Sequence, residues 1–343
     1  MQKDGLHISI VIPTFNRAQL LPDLLQSLGE IVIPPDTEWE ILVVDNNSSD
    51  ETAAVTEGFI GKGMLPLSYV FESKQGLSHA RNAGIREAKG QVIAFVDDDE
   101  IVDRQWMVGL DEGFKRFECS GIGGRVIAKW KSVPPDWYCT EGPYRIVGAT
   151  SGHDLGETYR EYSLETLMPI GGNLALKRTC FEKYGYFRTD IGPIGANHHY
   201  TIGEDVEFCL RLILGGERLI YSPEALVHNI VHEDRVTKSF CKSFYFRYGM
   251  MQTYLYRHRA GRHNYLGVPR YLFRDYLETF LAWGAAVVRG NSKAKLFYHF
   301  GLSRIWGQIY QHLVQNHPYL LTMGRNRSKS MGPWVTEGPK AQT

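Results

Sequence analysis

Gln91-Val92-Ile93-Ala94-Phe95-Val96-Asp97-Asp98-Asp99 is the stretch on which the fold turns. Its apolar, β-branched and aromatic residues read as a strand buried on both faces, which three aspartates then stop. Upstream, Ile8-Ser9-Ile10-Val11-Ile12 is a similar run ended by Pro13. Glu40-Ile41-Leu42-Val43-Val44 is another, halted by Asp45-Asn46-Asn47-Ser48-Ser49-Asp50, and Leu67–Phe71 is a third. Between them lie helical segments. Leu20, Leu21, Leu24, Leu25 and Leu28 share one helical face, a helix follows Asp50, and Ser78–Ala88 forms another closed by Gly90. Strands separated by helices predict an α/β fold, a mostly parallel sheet with helices on both faces.

The polar residues after these strands recur in one place. Thr14, Asn16 and Arg17, then Asp45, then Asp97, Asp98 and Asp99 all follow the carboxyl ends of strands. In open α/β sheets ligands bind at that edge. Asp and Asn also start turns there for local reasons, but three such ends, one a triple aspartate, favour a site. On an extended chain Asp97 and Asp99 point the same way. Like charges about 4 Å apart repel by roughly 4 kcal/mol at an effective dielectric of 20. Such a pair suits a hard divalent cation that bridges phosphates, or a solvated cap on the next helix; spacing alone does not separate these.

Further along, Arg81-Asn82 follows Gly76 near a helix start, a place suited to a diphosphate. Gly171-Gly172-Asn173 permits either close approach of a ligand or a tight turn into a strand. Glu204 and Asp205 open a helix, where acids are ordinary. His228 and His232 are each either metal ligands or surface residues. Gly121-Ile122-Gly123-Gly124 has no clear helix after it and is not a dinucleotide fingerprint. Residues 189–203, rich in Gly and His, read as a loop.

Composition sets the class. Of 343 residues, 43% are hydrophobic and 22% charged, as in a globular chain. Five cysteines without a CxxC pair disfavour a disulfide framework or a cysteine zinc site and fit a reducing compartment. The start, MQKDGLHISIVIP, has no apolar core of a signal peptide. Lys plus Arg equal Asp plus Glu at 38 each, but residues 236–343 hold 16 of the former against 3 of the latter. That tail also holds 20 of the 42 aromatic residues and reads as helical. Its longest apolar stretch, Phe280–Val288, is half of what a membrane span needs.

Taken in order, the segments resemble the family 2 glycosyltransferases, which have the GT-A fold. The resemblance rests on Ser9–Arg17, Ile41–Asp50, Gly76–Gly84, Val96–Asp99, Gly171–Asn173 and Gly203–Glu207, and it covers residues 7–235. It implies a catalytic domain over 1–235 and a helical extension over 236–343. It also implies transfer of a sugar from a nucleotide-sugar, a UDP-sugar first, to a hydroxyl of a glycan or lipid-linked acceptor, as in polysaccharide biosynthesis. By the same resemblance, Pro13, Thr14, Arg17 and Asp45 contact the nucleotide, and Arg81 the diphosphate. Asp97, Asp98 and Asp99 meet the donor and a Mn²⁺ or Mg²⁺ ion, with His228, or His232 as the alternative, completing the metal site. Gly171, Gly172 and Asn173 form the sugar and acceptor loop. Asp205 is the general base, with Glu204 beside it, and transfer inverts the anomeric centre.

Two rivals are weaker. A sugar-phosphate nucleotidyltransferase needs a Gly-rich basic loop after the first strand, where this chain has Pro13-Thr14-Phe15-Asn16-Arg17. A non-catalytic nucleotide-sugar scaffold has no use for both the aspartate triplet and Glu204-Asp205. The tail is read either as a helical appendage or as a surface for anionic lipid. Phe246-Arg247-Tyr248 and Leu255-Tyr256-Arg257-His258-Arg259 interleave cations with rings. Nucleic acid has no support from the other segments, and the aromatic tail also offers a face through which subunits could pair. The expected location is cytoplasmic, peripheral on the inner face of a membrane.

Overall fold

The computed structural model of the chain describes residues 5–146, 148, 150, 152–193, 202–255 and 264–317. Residues 194–201, most of the loop-like stretch, and 256–263, which include Arg257, His258 and Arg259, lie outside the described residues. The chain falls into two compact units. One comprises Met1–Pro134 and Thr150–Val236; the other comprises Pro135–Ala149 and Thr237–Thr343.

The first unit begins with β1 (His7–Thr14), α1 (Leu21–Gly29), β2 (Glu38–Asp45), α2 (Thr52–Lys62), β3 (Leu67–Phe71), α3 (Leu77–Glu87) and β4 (Val92–Val96). It continues through β5 (Glu100–Val102), α4 (Trp106–Arg116), β6 (Gly121–Trp130), β7 (Arg160–Glu161), β8 (Asn173–Lys177), α5 (Arg178–Tyr184), α6 (Glu204–Leu214) and β9 (Leu219–Val231). These strands make one sheet in the order β3-β2-β1-β4-β8-β6-β9-β5, with β7 paired to β9. The quartet β3-β2-β1-β4 is parallel. Beyond it the sheet is mixed: β8 is antiparallel to both β4 and β6, and β9 runs parallel to β6.

Helices cover both faces of the parallel part. Ile8, Ile10 and Ile12 join Leu21, Leu24, Leu25 and Leu28 of α1 in the core. On the opposite face, Gly84 of α3 lies so close to Val11 that an added Cβ would stand 2.3 Å from its Cγ1. β1 runs through Pro13 to Thr14 rather than stopping at the proline. The ladder to β4 ends at Val11, so the missing N–H of Pro13 falls beyond it.

Topology positions the site. From β1 the chain winds outward to β2 and β3, then crosses back to β4 on the other side of β1. A crevice opens at such a reversal, at the carboxyl ends of β1 and β4. Because β8 is antiparallel to β4, with Asn173 opposite Val96, its first residues return to the same edge.

The second unit holds α7 (Lys238–Leu255), a hairpin of β10 (Asn264–Tyr265) and β11 (Val268–Pro269), α8 (Arg270–Val288) and α9 (Ser292–Asn316). α7 and α9 touch backbone to backbone. A Cβ on Gly249 would stand 1.9 Å from the Arg304 carbonyl oxygen, and one on Gly307 2.0 Å from that of Phe246. Val268, Leu272, Ile305 and Ile309 form a small core around α8 and α9. Pro135–Ala149 belongs here through its rings: Trp137 meets Phe300 at 6.4 Å and Tyr144 meets Phe297 at 5.8 Å between centroids.

Candidate active site

The aspartate triplet sits where β4 ends at the crevice. The chain turns immediately, with Glu100 N–H donating to the Asp97 carbonyl, so the alternation of an extended strand does not apply. The sequence reading pairs Asp97 with Asp99; the structure instead joins Asp98 and Asp99 through Arg17. Arg17 Nη1 lies 2.6 Å from Asp98 Oδ1 and 3.2 Å from Asp99 Oδ2. Arg235 also binds Asp99 Oδ2. The Asp97 carboxylate, 35% exposed, pairs with Arg81 instead. Burial pushes Asp98 up to about 6, against the opposing charge of Arg17. Burial, helped by the charges of Asp97 and Asp99, raises Glu100 well above the usual carboxylate range.

Arg81 links the triplet to α6. Its Nη2 donates to Asp97 Oδ1 at 3.1 Å and its Nη1 to Glu204 Oε1 at 2.7 Å. The sequence reading offers this guanidinium to a diphosphate, but it is only 2% exposed and held by two carboxylates. The start of α3 is likewise engaged: Leu77 N–H donates to the Pro193 carbonyl and Gly76 N–H to Asn46 Oδ1. Burial lifts Glu204 to about 7, with the charge of Asp205 adding and Arg81 opposing. Glu204 therefore packs inward as a partner of Arg81, while Asp205, half-buried beside it, turns toward the start of β8. Asp205 Oδ2 accepts from Gly171 N–H at 2.6 Å, and Oδ1 from Val206 N–H at 2.8 Å.

The glycines before β8 serve neighbouring side chains. A Cβ on Gly171 would lie 2.4 Å from Arg81 Nη2, and one on Gly172 2.5 Å from Glu100 Oε1. Asn173, expected from the resemblance in a sugar or acceptor loop, is the first residue of β8. It is buried, accepts from Trp106 Nε1 at 2.9 Å, and donates to the carbonyls of Arg125 and Ala225. Its amide is consumed in tying β8 to α4, β6 and β9.

At the other wall, Thr14 and Asp45 are paired in register at the ends of β1 and β2, and Pro13 pairs with Val44. Asp45 accepts from Ser48 N–H and from the Tyr69 hydroxyl. Asn46, which the sequence reading missed, is buried and bonds the carbonyls of Glu72 and Lys74. Glu100 and Arg235 were missed too; the one available signal was that buried aspartates require cations nearby.

The two histidines part company. His228 lies within β9 opposite Ile101 and Ile127, and the charges it feels are those of Asp103 and Lys129. His232, just past β9, feels the charges of Lys131 and Asp99, in that order, and its Nε2 is sealed from solvent without a hydrogen-bond partner. Carboxylates outnumbering the guanidinium groups around them, with an orphaned imidazole nitrogen alongside, fit a hard divalent cation. Among the described residues no three His, Cys, Asp or Glu side chains form a ready-made cation site.

Known proteins are similar to this chain in sequence and fold. The sequence model of "Glycosyl transferase family 2" matches residues 9–185. Succinoglycan biosynthesis protein ExoM of Rhizobium meliloti is 26% identical over 260 residues, which span 76% of this chain and 78% of that one. The glucosyl-dolichyl phosphate glucuronosyltransferase of Haloferax volcanii is 24% identical over 67% of this chain and 71% of its own. Among solved structures, the mannosyltransferase PcManGT of Pyrobaculum calidifontis, in complex with GDP-Man and Mn²⁺, shares the fold. Its TM-score is 0.54 at 20% identity, covering 94% of this chain and 89% of that one.

Proposed function

The chain belongs to glycosyl transferase family 2, enzymes that transfer sugar from a nucleotide-sugar, and from that premise we propose an inverting transfer to an acceptor hydroxyl with Asp205 as general base. The donor is a UDP-sugar and the acceptor a glycan or a lipid-linked sugar. The observation that carries this reading is the placement of Asp205. Its carboxylate is oriented by Gly171 N–H on one oxygen and Val206 N–H on the other, at the edge where the triplet also lies.

In the proposed step the acceptor oxygen attacks the anomeric carbon, Asp205 takes the hydroxyl proton, and the bond to the nucleoside diphosphate breaks with both electrons leaving on the phosphate oxygen. A single displacement inverts the centre. Arg81 positions the base: it holds Glu204, the neighbour of Asp205, against Asp97 and so fixes α6 relative to β4. Thr14, Arg17 and Asp45 line the nucleotide end of the crevice. Asp97 through its partly exposed carboxylate, Asp99 once Arg17 or Arg235 releases an oxygen, and His232 would hold Mn²⁺ or Mg²⁺, with His232 preferred over His228 for its unpartnered nitrogen. Such an ion, when bound, neutralises charge on the diphosphate and makes it a better leaving group.

Asp205→Asn tests the assignment. The variant is expected to bind donor as the parent does, by calorimetry, and to lose transfer by a factor of about 10² or more. Parental transfer rates would overturn the role of Asp205, and pyrophosphate as product, in place of nucleoside diphosphate, would overturn the proposed reaction.

A further inference from the structure

The helical unit carries apolar surface that its own folding does not use. α8 buries Leu272 and Ala286 and turns Phe273, Leu277, Phe280 and Leu281 outward. Leu277 is 57% exposed, Leu281 62% and Val288, farther along, 88%. Their spacing makes one stripe along the helix. It continues onto the β10–β11 hairpin, where the Tyr265 ring lies 6.4 Å from that of Phe273. At the hairpin tip Leu266 is 74% exposed and has φ +50°. A leucine there is strained, and Asn or Gly would fit the turn better. The tip is nonetheless clamped: Asn316 donates to the Gly267 carbonyl at 3.2 Å and the His317 ring meets the Leu266 carbonyl at 3.1 Å. A rigid turn thus presents an apolar side chain that the turn itself disfavours.

Charge identifies the occupant. Residues 237–255 and 264–317 carry nine Lys/Arg against Asp275 and Glu278. Exposed cations bracket the stripe, with Arg270 and Arg274 at one end and Arg289, Lys293 and Lys295 at the other. Arg270 also lies over the Tyr265 ring at 4.3 Å. Two copies pairing through this stripe would bring like charges together, whereas an anionic sheet of headgroups would meet them all. Among the described residues no helix is long and apolar enough to cross a membrane.

We propose that α8 and the β10–β11 tip form a docking face that lies in the plane of an anionic lipid membrane. Leu266, Phe273, Leu277, Phe280 and Leu281 enter the acyl boundary, and the bracketing Arg and Lys side chains stay at headgroup level. This inference is independent of the sugar-transfer reading.

Flotation of the full chain with phosphatidylcholine–phosphatidylglycerol vesicles, and with phosphatidylcholine alone, tests it. The chain is expected to float with the anionic vesicles, less so at high salt, and not with the neutral ones. Leu266→Asn and Leu281→Gln are each expected to lower partitioning about tenfold. Neither lowers the melting temperature, and Leu266→Asn raises it by relieving the turn. The proposal is overturned if the chain does not float with anionic vesicles, or if both variants float like the parent. It is equally overturned if light scattering shows a dimer that these substitutions dissociate.

Discussion

Asn173 and Glu204 show what single residues contribute to this site. Removing the Asn173 amide takes the acceptor from the Trp106 indole N–H and a donor from two interior carbonyls. Asn173→Ala is expected to cost about 3 kcal/mol of stability in a denaturant titration, with donor affinity of the folded protein unchanged. Glu204 makes stability depend on pH. Its folded value of about 7 lies above its ordinary 4.5, and that of Asp98, about 6, above 3.8. For groups raised in this way the stabilisation is complete below the unfolded values and is lost as pH rises through the folded ones. The melting temperature of the ligand-free chain should therefore fall from about pH 4.5 to pH 7. Glu204→Gln should flatten the upper part of that fall in a calorimetric pH series. The position of Asp97 and Asp99 at a strand end was legible in the sequence because a continuous buried run precedes them, whereas Asp205 at an ordinary helix start stood out only through the family resemblance. The partners of Arg81 were not, since Glu204 lies 123 positions away and no local pattern joins them.

At the level of elements, legibility followed buried hydrophobic runs. β1, β2 and β4 announce themselves by their buried apolar runs, and α1 by its leucine spacing. The antiparallel return was hidden: β6 opens on Gly121, Gly123 and Gly124, and its place beside β8 and β9 depends on distant pairing. α8 was recognisable from its periodicity, but the same stripe that usually marks a core-facing surface here faces outward. The α7–α9 contact depends on glycines the spacing did not flag. Gly307→Ala would push Cβ against the Phe246 carbonyl and force the helices apart. The expected loss is about 2 kcal/mol, read as a lower denaturation midpoint for the helical unit by far-ultraviolet dichroism.

Across the whole molecule, the neutral total charge conceals an acidic sheet unit and a basic helical unit. Counting charges places one division after Arg235; the contacts place Pro135–Ala149 with the helices as well. A fragment ending at Val236 should therefore leave Trp137 without Phe300, and Tyr144 without Phe297 and Tyr298. It is expected to bind more of a hydrophobic dye, and to aggregate at lower concentration, than the full chain.

The interleaved order has a consequence for biosynthesis. Pro135–Ala149 leaves the ribosome well before the helices it packs with, and its ring partners Phe297 and Phe300 belong to α9, the last described helix. At common elongation rates that wait lasts on the order of ten seconds. During it the sheet unit can mature while an aromatic loop stays uncovered on its nascent chain. The interval is an opening for a chaperone, and slowing or speeding translation of the α9 codons should change the yield of native protein.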